Sequence, residues 1–236
     1  MIRKVLLPIL LLVIAGGCSE LKNVTDNLGM TSAPIDNTTI ASGLREALDK
    51  GIDKQVKKLT QTDGFYKNEM VRIMLPSELQ KVDKTLRDIG LGNLADEGIK
   101  ILNRAAEEAV KEATPIFVTA VKGITFNDAK SILLGNENAA TTYLKHRTQE
   151  ELYSKFNPVI QQSFSKVGAD QIWDNIINRY NSIPLVNKVN PDLTDYVTGQ
   201  ALKGVYTMIE VEEKEIRTNT AARTTKLLKS VFALQD

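Results

Sequence analysis

Residues 192–217, DLTDYVTGQALKGVYTMIEVEEKEIR, decide the fold class. Leu193, Val197, Ala201, Val205, Met208, Ile209 and Ile216 recur three or four apart, the spacing of one face of an α-helix. Asn190-Pro191 ahead of them reads as the cap and first position of that helix. The same arc takes in Glu212. A carboxylate there must emerge at the rim or be buried against a cation, since an unpaired buried charge costs several kcal/mol. The spacing predicts Glu212 mostly buried and paired with an arginine from outside its own turn, Arg223 first and Arg104 second. The alternative is that the helix leaves the core before Glu212 and EVEEKEIR is solvated. Glu213 lies beside the stripe, four residues before Arg217, the favourable order for an exposed ion pair.

Outward from this helix the same period continues. Leu44, Leu48, Ile52, Val56 and Leu59 mark a first helical face, and Asp63-Gly64-Phe65 reads as a turn after it. Ser77-Glu-Leu-Gln80 has the form of a capping box behind Pro76, with Leu79, Val82, Leu86 and Ile89 inward and Gly90 as the stop. Gly98, Leu102, Ala105, Ala106, Ala109 and Ala113 form a stripe of small residues that lets a neighbouring helix approach closely. Thr114-Pro115 reads as a new N-cap and first position. Two more capping boxes, Thr125 to Asp128 and Thr148 to Glu151, precede helical runs, with a short helix AATTYLKHR between them. A segment carrying Trp173, Ile177 and Tyr180 and a last one carrying Leu227, Leu228, Val231 and Phe232 complete the pattern. With neither strand alternation nor a fixed repeat, the expected fold is all-α, an irregular bundle of about eight to ten helices.

The amino terminus follows another logic. Arg3 and Lys4 precede an apolar run from Val5 to Ile14, too short to span a bilayer, and Ala15-Gly16-Gly17 stands directly before Cys18, the sole cysteine. That order is a secretory signal over residues 1–17 whose end looks like a bacterial lipobox, so Cys18 is the expected site of acylation. Two or three acyl chains hold a protein in a bilayer durably where one does not. Ser19 at the next position, by resemblance to enterobacterial lipoproteins, points to the outer membrane facing the periplasm. Residues 18–39, rich in Asn, Thr, Ser and Pro, read as a tether spanning about 25 Å. Residues 40–236 then form one helical domain.

The whole chain holds 30 basic and 29 acidic residues; loss of Arg3 and Lys4 with the signal leaves a balance near zero. Such a balance gives no long-range attraction to nucleic acid or to anionic lipid. A hydrophobic content of 42% can supply a core without disulfides.

GLREALDKGIDKQVKKL (43–59), the Asp-Gly-Phe turn, NRAAEEAVKEATPIF (103–117) and FNDAKSILLGNENAATTYLK (126–145) stand in one order with DLTDYVTGQALKGVY (192–206) and EEKEIRTNTAARTTKLLKSVF (212–232). Together they resemble the bacterial envelope proteins grouped as domain of unknown function 4197, over essentially everything after the tether. The resemblance implies a single helical domain and an exported, often lipid-anchored protein. It brings no activity, cofactor or catalytic residue with it.

The residues point the same way. Cys18 is taken by acylation and His146 is the one histidine, so neither a cysteine–histidine pair nor a multi-histidine metal site can be assembled. There is no phosphate loop, nucleophile elbow or HExxH motif. No cofactor or metal is expected. Arg104 and Glu108, four apart, share with Glu107 and Lys111 the face opposite the alanine stripe, and read as solvated ion pairs or, alternatively, a ligand site. Tyr143 either lines a pocket with Thr141 and Thr142 or packs with Ala140 and Leu144. Three functions fit: a non-catalytic structural or interaction lipoprotein meeting an envelope partner, a carrier or sensor holding a lipid or acyl chain between helices, and a hydrolase without histidine or cysteine chemistry.

Overall fold

The computed structural model describes residues 36–235 apart from 89, 91, 167, 183–187 and 189–191, and excludes the side chains of 78, 169, 170, 172, 176 and 179. Cys18, the signal and most of the expected tether lie outside the described residues, as do the Asn190-Pro191 cap and Pro184.

The fold is all-α, with α1 (Asn37–Leu59), α2 (Gln80–Asp88), α3 (Gly92–Ala109), α4 (Ala113–Lys122), α5 (Phe126–Leu133), α6 (Ala139–Lys166), α7 (Ala169–Asn181), α8 (Thr194–Thr218) and α9 (Lys226–Phe232). Helix α1 starts three residues before the boundary expected at residue 40, because the Asp36 carboxylate accepts from the Thr39 N–H at 2.7 Å and caps it. Among the described residues, all the buried apolar side chains from Ala41 to Phe232 except Ala95 join one cluster. At its centre α8 packs on α6 and α1, and α6 packs on α3 and α4.

Three boundaries differ from the pattern in the sequence, each for a local reason. Thr148 starts no helix, and α6 runs straight through it. Its hydroxyl donates to the Leu144 carbonyl at 2.7 Å and meets the Tyr206 hydroxyl at 2.8 Å, so a capping residue here serves as a buried interior one. Thr114 is no N-cap either. Pro115 lacks an N–H for the Lys111 carbonyl, and the chain answers by tightening to a 3₁₀ turn over Val110–Glu112 before α4 begins. Ser77 is not the cap: it is the first residue of a 3₁₀ turn, Ser77–Leu79, with Pro76 in the cap position and no side-chain cap bond, and α2 follows from Gln80. The box at Thr125 forms as read: Thr125 N–H donates to Asp128 at 2.9 Å, and Asp128 N–H to the Thr125 hydroxyl at 3.2 Å.

Small residues decide the close approaches. A Cβ on Gly98 would lie 2.5 Å from Cζ2 of Trp173, so the stripe on α3 accepts the indole of α7. A Cβ on Gly204 would lie 2.6 Å from Cε1 of Phe65. Trp173 is thus a core residue, as its spacing suggested.

Candidate functional site

The residues singled out in the sequence fall into two buried polar clusters. In the first, Glu213 on α8 reaches the start of α6, where its carboxylate accepts the N–H groups of Ala140 and Thr141 at 2.9 and 2.8 Å and the Thr141 hydroxyl at 2.8 Å. These are N–H groups that a helix start leaves unpaired, and the helix dipole favours an anion there. One turn on, Arg217 donates to Glu213 at 3.0 and 2.8 Å and to the Ile132 and Leu133 carbonyls at the end of α5 at 2.8 and 3.1 Å. A cation at a helix C-terminus completes the electrostatics. The pair expected to be exposed is therefore buried, because each partner closes a different helix end. Gln235 also donates to the Leu133 carbonyl.

Glu212 lies beside it, 8% exposed, so α8 stays in the core to its last turn. Its partner differs from the expectation. Lys54 of α1 approaches to 2.7 Å and the Gln55 amide donates at 2.6 Å. Gly51, without a Cβ, lets Glu212 Cγ come close to α1. Arg223, expected as that partner, is itself buried and closes the end of α8, donating to the Ile216 and Arg217 carbonyls at 3.0 and 2.8 Å, with the Phe232 ring 5.8 Å away. Arg104, the second candidate, belongs to the other cluster. The cavity between α1, α8 and α9 on which Glu212, Glu213 and Arg217 border holds about 20 Å³, the room one water needs.

The second cluster holds the loop after α1. Arg104 of α3 reaches Asp63 at 2.5 Å and Glu107 at 2.6 Å, and Glu107 accepts the Phe65 and Tyr66 N–H groups at 3.1 and 3.4 Å. Glu107 is buried, not on a solvated face, and Arg104 does not pair with Glu108, which binds Lys111. Asp63 takes the left-handed conformation, φ 68°, and Gly64 follows because a Cβ there would stand 2.5 Å from the Lys58 and Leu59 carbonyls. Further along, Asn103 holds the backbone of Ile73 from both sides, accepting its N–H and donating to its carbonyl, each at 2.8 Å. Val71, Ile73 and Leu75 point inward between exposed Arg72 and Met74. Tyr143 is half-buried against the core, with the Arg147 guanidinium 5.4 Å from its ring.

The Asp63 carboxyl is held below its ordinary value of 3.8 by the hydrogen bond from Lys67, with Arg104 adding to it. A depressed folded value means that Asp63 contributes its stabilisation above pH 3.8 and loses it as pH falls through the lower folded value. Acid unfolding of Asp63→Asn, followed by circular dichroism, should therefore show a shallower loss of stability below pH 3.8 than the parent. Identical acid limbs would show that the loop does not depend on this carboxylate.

Asn103, Lys54 and Gln55 are site residues that the sequence reading does not single out. The signal for two of them was available: Asn103 and Gln55 are polar residues on otherwise apolar arcs, the criterion that picked out Glu212. Lys54 could not have been found this way, since it reaches inward from an exposed position.

In both clusters the buried carboxylates are saturated by the chain's own donors. The class this defines is an all-α bundle in which the interior charges brace helix ends and a loop. A family model described as "Protein of unknown function (DUF4197)" matches residues 34–233, and the chain belongs to that family. No curated protein and no solved structure matches it.

Proposed function

We propose that the protein is a lipoprotein of the bacterial cell envelope, held in the outer membrane by acylated Cys18, whose helical domain meets another envelope protein in the periplasm without catalysing a reaction. The observation that supports this reading is the saturation of Glu107, Glu212 and Glu213, each bonded to the chain itself, with room for about one water beside Glu212 and Glu213. A carrier of an acyl chain needs several hundred Å³ between its helices. The cavity beside the α8 cluster offers about 20 Å³. Among the described residues no helix is long and apolar enough to cross a membrane, so attachment falls to the segment before Asp36.

Native mass spectrometry of detergent-extracted protein tests each part. The expected species begins at Cys18, carries the mass of its acyl chains, and retains a second protein in fixed stoichiometry. A start elsewhere, or an unmodified Cys18, would overturn the anchor; a retained non-covalent lipid in place of a protein would favour the carrier.

A further inference from the structure

We infer that residues 71–75 form a short strand edge that takes up an extended, acidic segment of another envelope protein. This deepens the reading of the domain as one that meets a protein partner, and rests on it. The connection from α1 to the 3₁₀ turn at Ser77 covers residues 60–76, longer than the roughly 12–15 residues beyond which such connections are uncommon unless they serve a function. Buried Glu107 and Asn103 fix it in place.

Residues 72–76 are neither helix nor turn, and burial alternates from Val71 to Leu75, so the backbone runs extended. In such a chain the peptide groups of successive residues face opposite edges. One edge is filled, because Asn103 gives Ile73 the two bonds that a neighbouring strand would give it. On the other edge the Arg72 N–H is taken by the Asn68 carbonyl at 2.8 Å, and the Met74 carbonyl by the Tyr196 hydroxyl at 2.8 Å. The Arg72 carbonyl and the Met74 N–H between them have no hydrogen-bond partner among the described residues. One residue of a parallel extended chain engages such a pair, its N–H donating to the carbonyl and its carbonyl accepting from the N–H. Asn68, accepting from both Val71 and Arg72, closes the start of the edge, and Pro76, without an N–H, ends it.

At the rise of a strand, residues 71–75 span about 17 Å. That length seats a peptide segment, whereas a second folded copy would need about 800 Å² from each partner. The side chains along the edge define what the segment carries. Met70 and Met74 are 59% and 51% exposed, flexible thioethers that adapt to an apolar side chain. Arg72 is exposed, lies 4.5 Å from the Tyr66 ring and makes no ion pair among the described residues. Asp96, whose carboxyl it influences, is bound by Arg87. A guanidinium held on a ring, with no carboxylate of its own, is complemented by one on the partner.

The test places p-benzoylphenylalanine at position 74 of the full-length protein in its own host, and separately at 211, where Val211 is exposed on α8. The expected adduct at 74 holds another protein, crosslinked within a segment that carries an acidic residue. A synthetic peptide of that mapped segment should then slow hydrogen exchange of the Met74 amide in the purified protein at least about tenfold. Met74→Pro removes an N–H that bonds to nothing in the fold, and should bind the peptide about fivefold more weakly than Met74→Ala, the worth of one hydrogen bond. If Met74→Pro melts well below Met74→Ala, exchange at Met74 in the parent decides alone. Adducts at 211 only, an adduct at 74 with a second copy, or Met74 exchange unchanged by the peptide would overturn the edge and leave the partner reading standing. Adducts at neither position would overturn both.

Discussion

Alanine at position 213 is expected to lower the free energy of unfolding by about 3–5 kcal/mol, the cost of breaking one partner out of a buried pair. Three donors at the start of α6 lose their acceptor, and Arg217 is left charged in the interior with only carbonyls around it. Urea unfolding followed by circular dichroism measures the loss. Asp53→Ala is the natural comparison, since its pair with Lys57 is a one-turn surface contact that should be worth a few tenths of a kcal/mol at most. If Glu213→Ala costs less than about 1 kcal/mol, the pair is hydrated and behaves like a surface bridge.

Phe65→Ala is expected to cost a similar amount, about 3–5 kcal/mol, by leaving a cavity where the ring was. The ring is fully buried against Gly204 and is the sole large side chain by which the Asp-Gly-Phe turn enters the core. Its backbone N–H is meanwhile fixed by Glu107. A turn that merely crossed the surface would tolerate alanine with little change. Urea unfolding distinguishes the two, and a loss within about 0.5 kcal/mol would place the turn outside the cooperative unit.

The legible part of this chain was its apolar periodicity. The stripes on α1, α3 and α8 appear in the structure as read, because burial of an amphipathic face depends on spacing that the sequence displays directly. Caps were less legible. Thr125 and Thr148 have the same local pattern, yet only Thr125 has a free helix start to cap; Thr148 faces Tyr206, and that contact lies 58 residues away. The burial of Glu212 could be derived from its place on the arc. The identity of Lys54 as its partner depends on how α1 crosses α8, which no local pattern encodes. The spacing pairs Glu213 with Arg217 but points the pair to water, since nothing in EVEEKEIR reveals that two other helices end beside it.

The first and last of the described helices, α1 and α9, cross at Gly43 and Val231. Helical bundles gain speed in folding from short-range contacts, and this closing contact is not one of them. As the polypeptide emerges amino end first, the leucine face of α1 has no α8 or α9 to cover it, and the ends of α5 and α6 have no residue 213 or 217 to seal them. The domain must therefore wait for nearly its full length before its core can form, and in that interval α1 is the segment most exposed to aggregation or to capture by a chaperone.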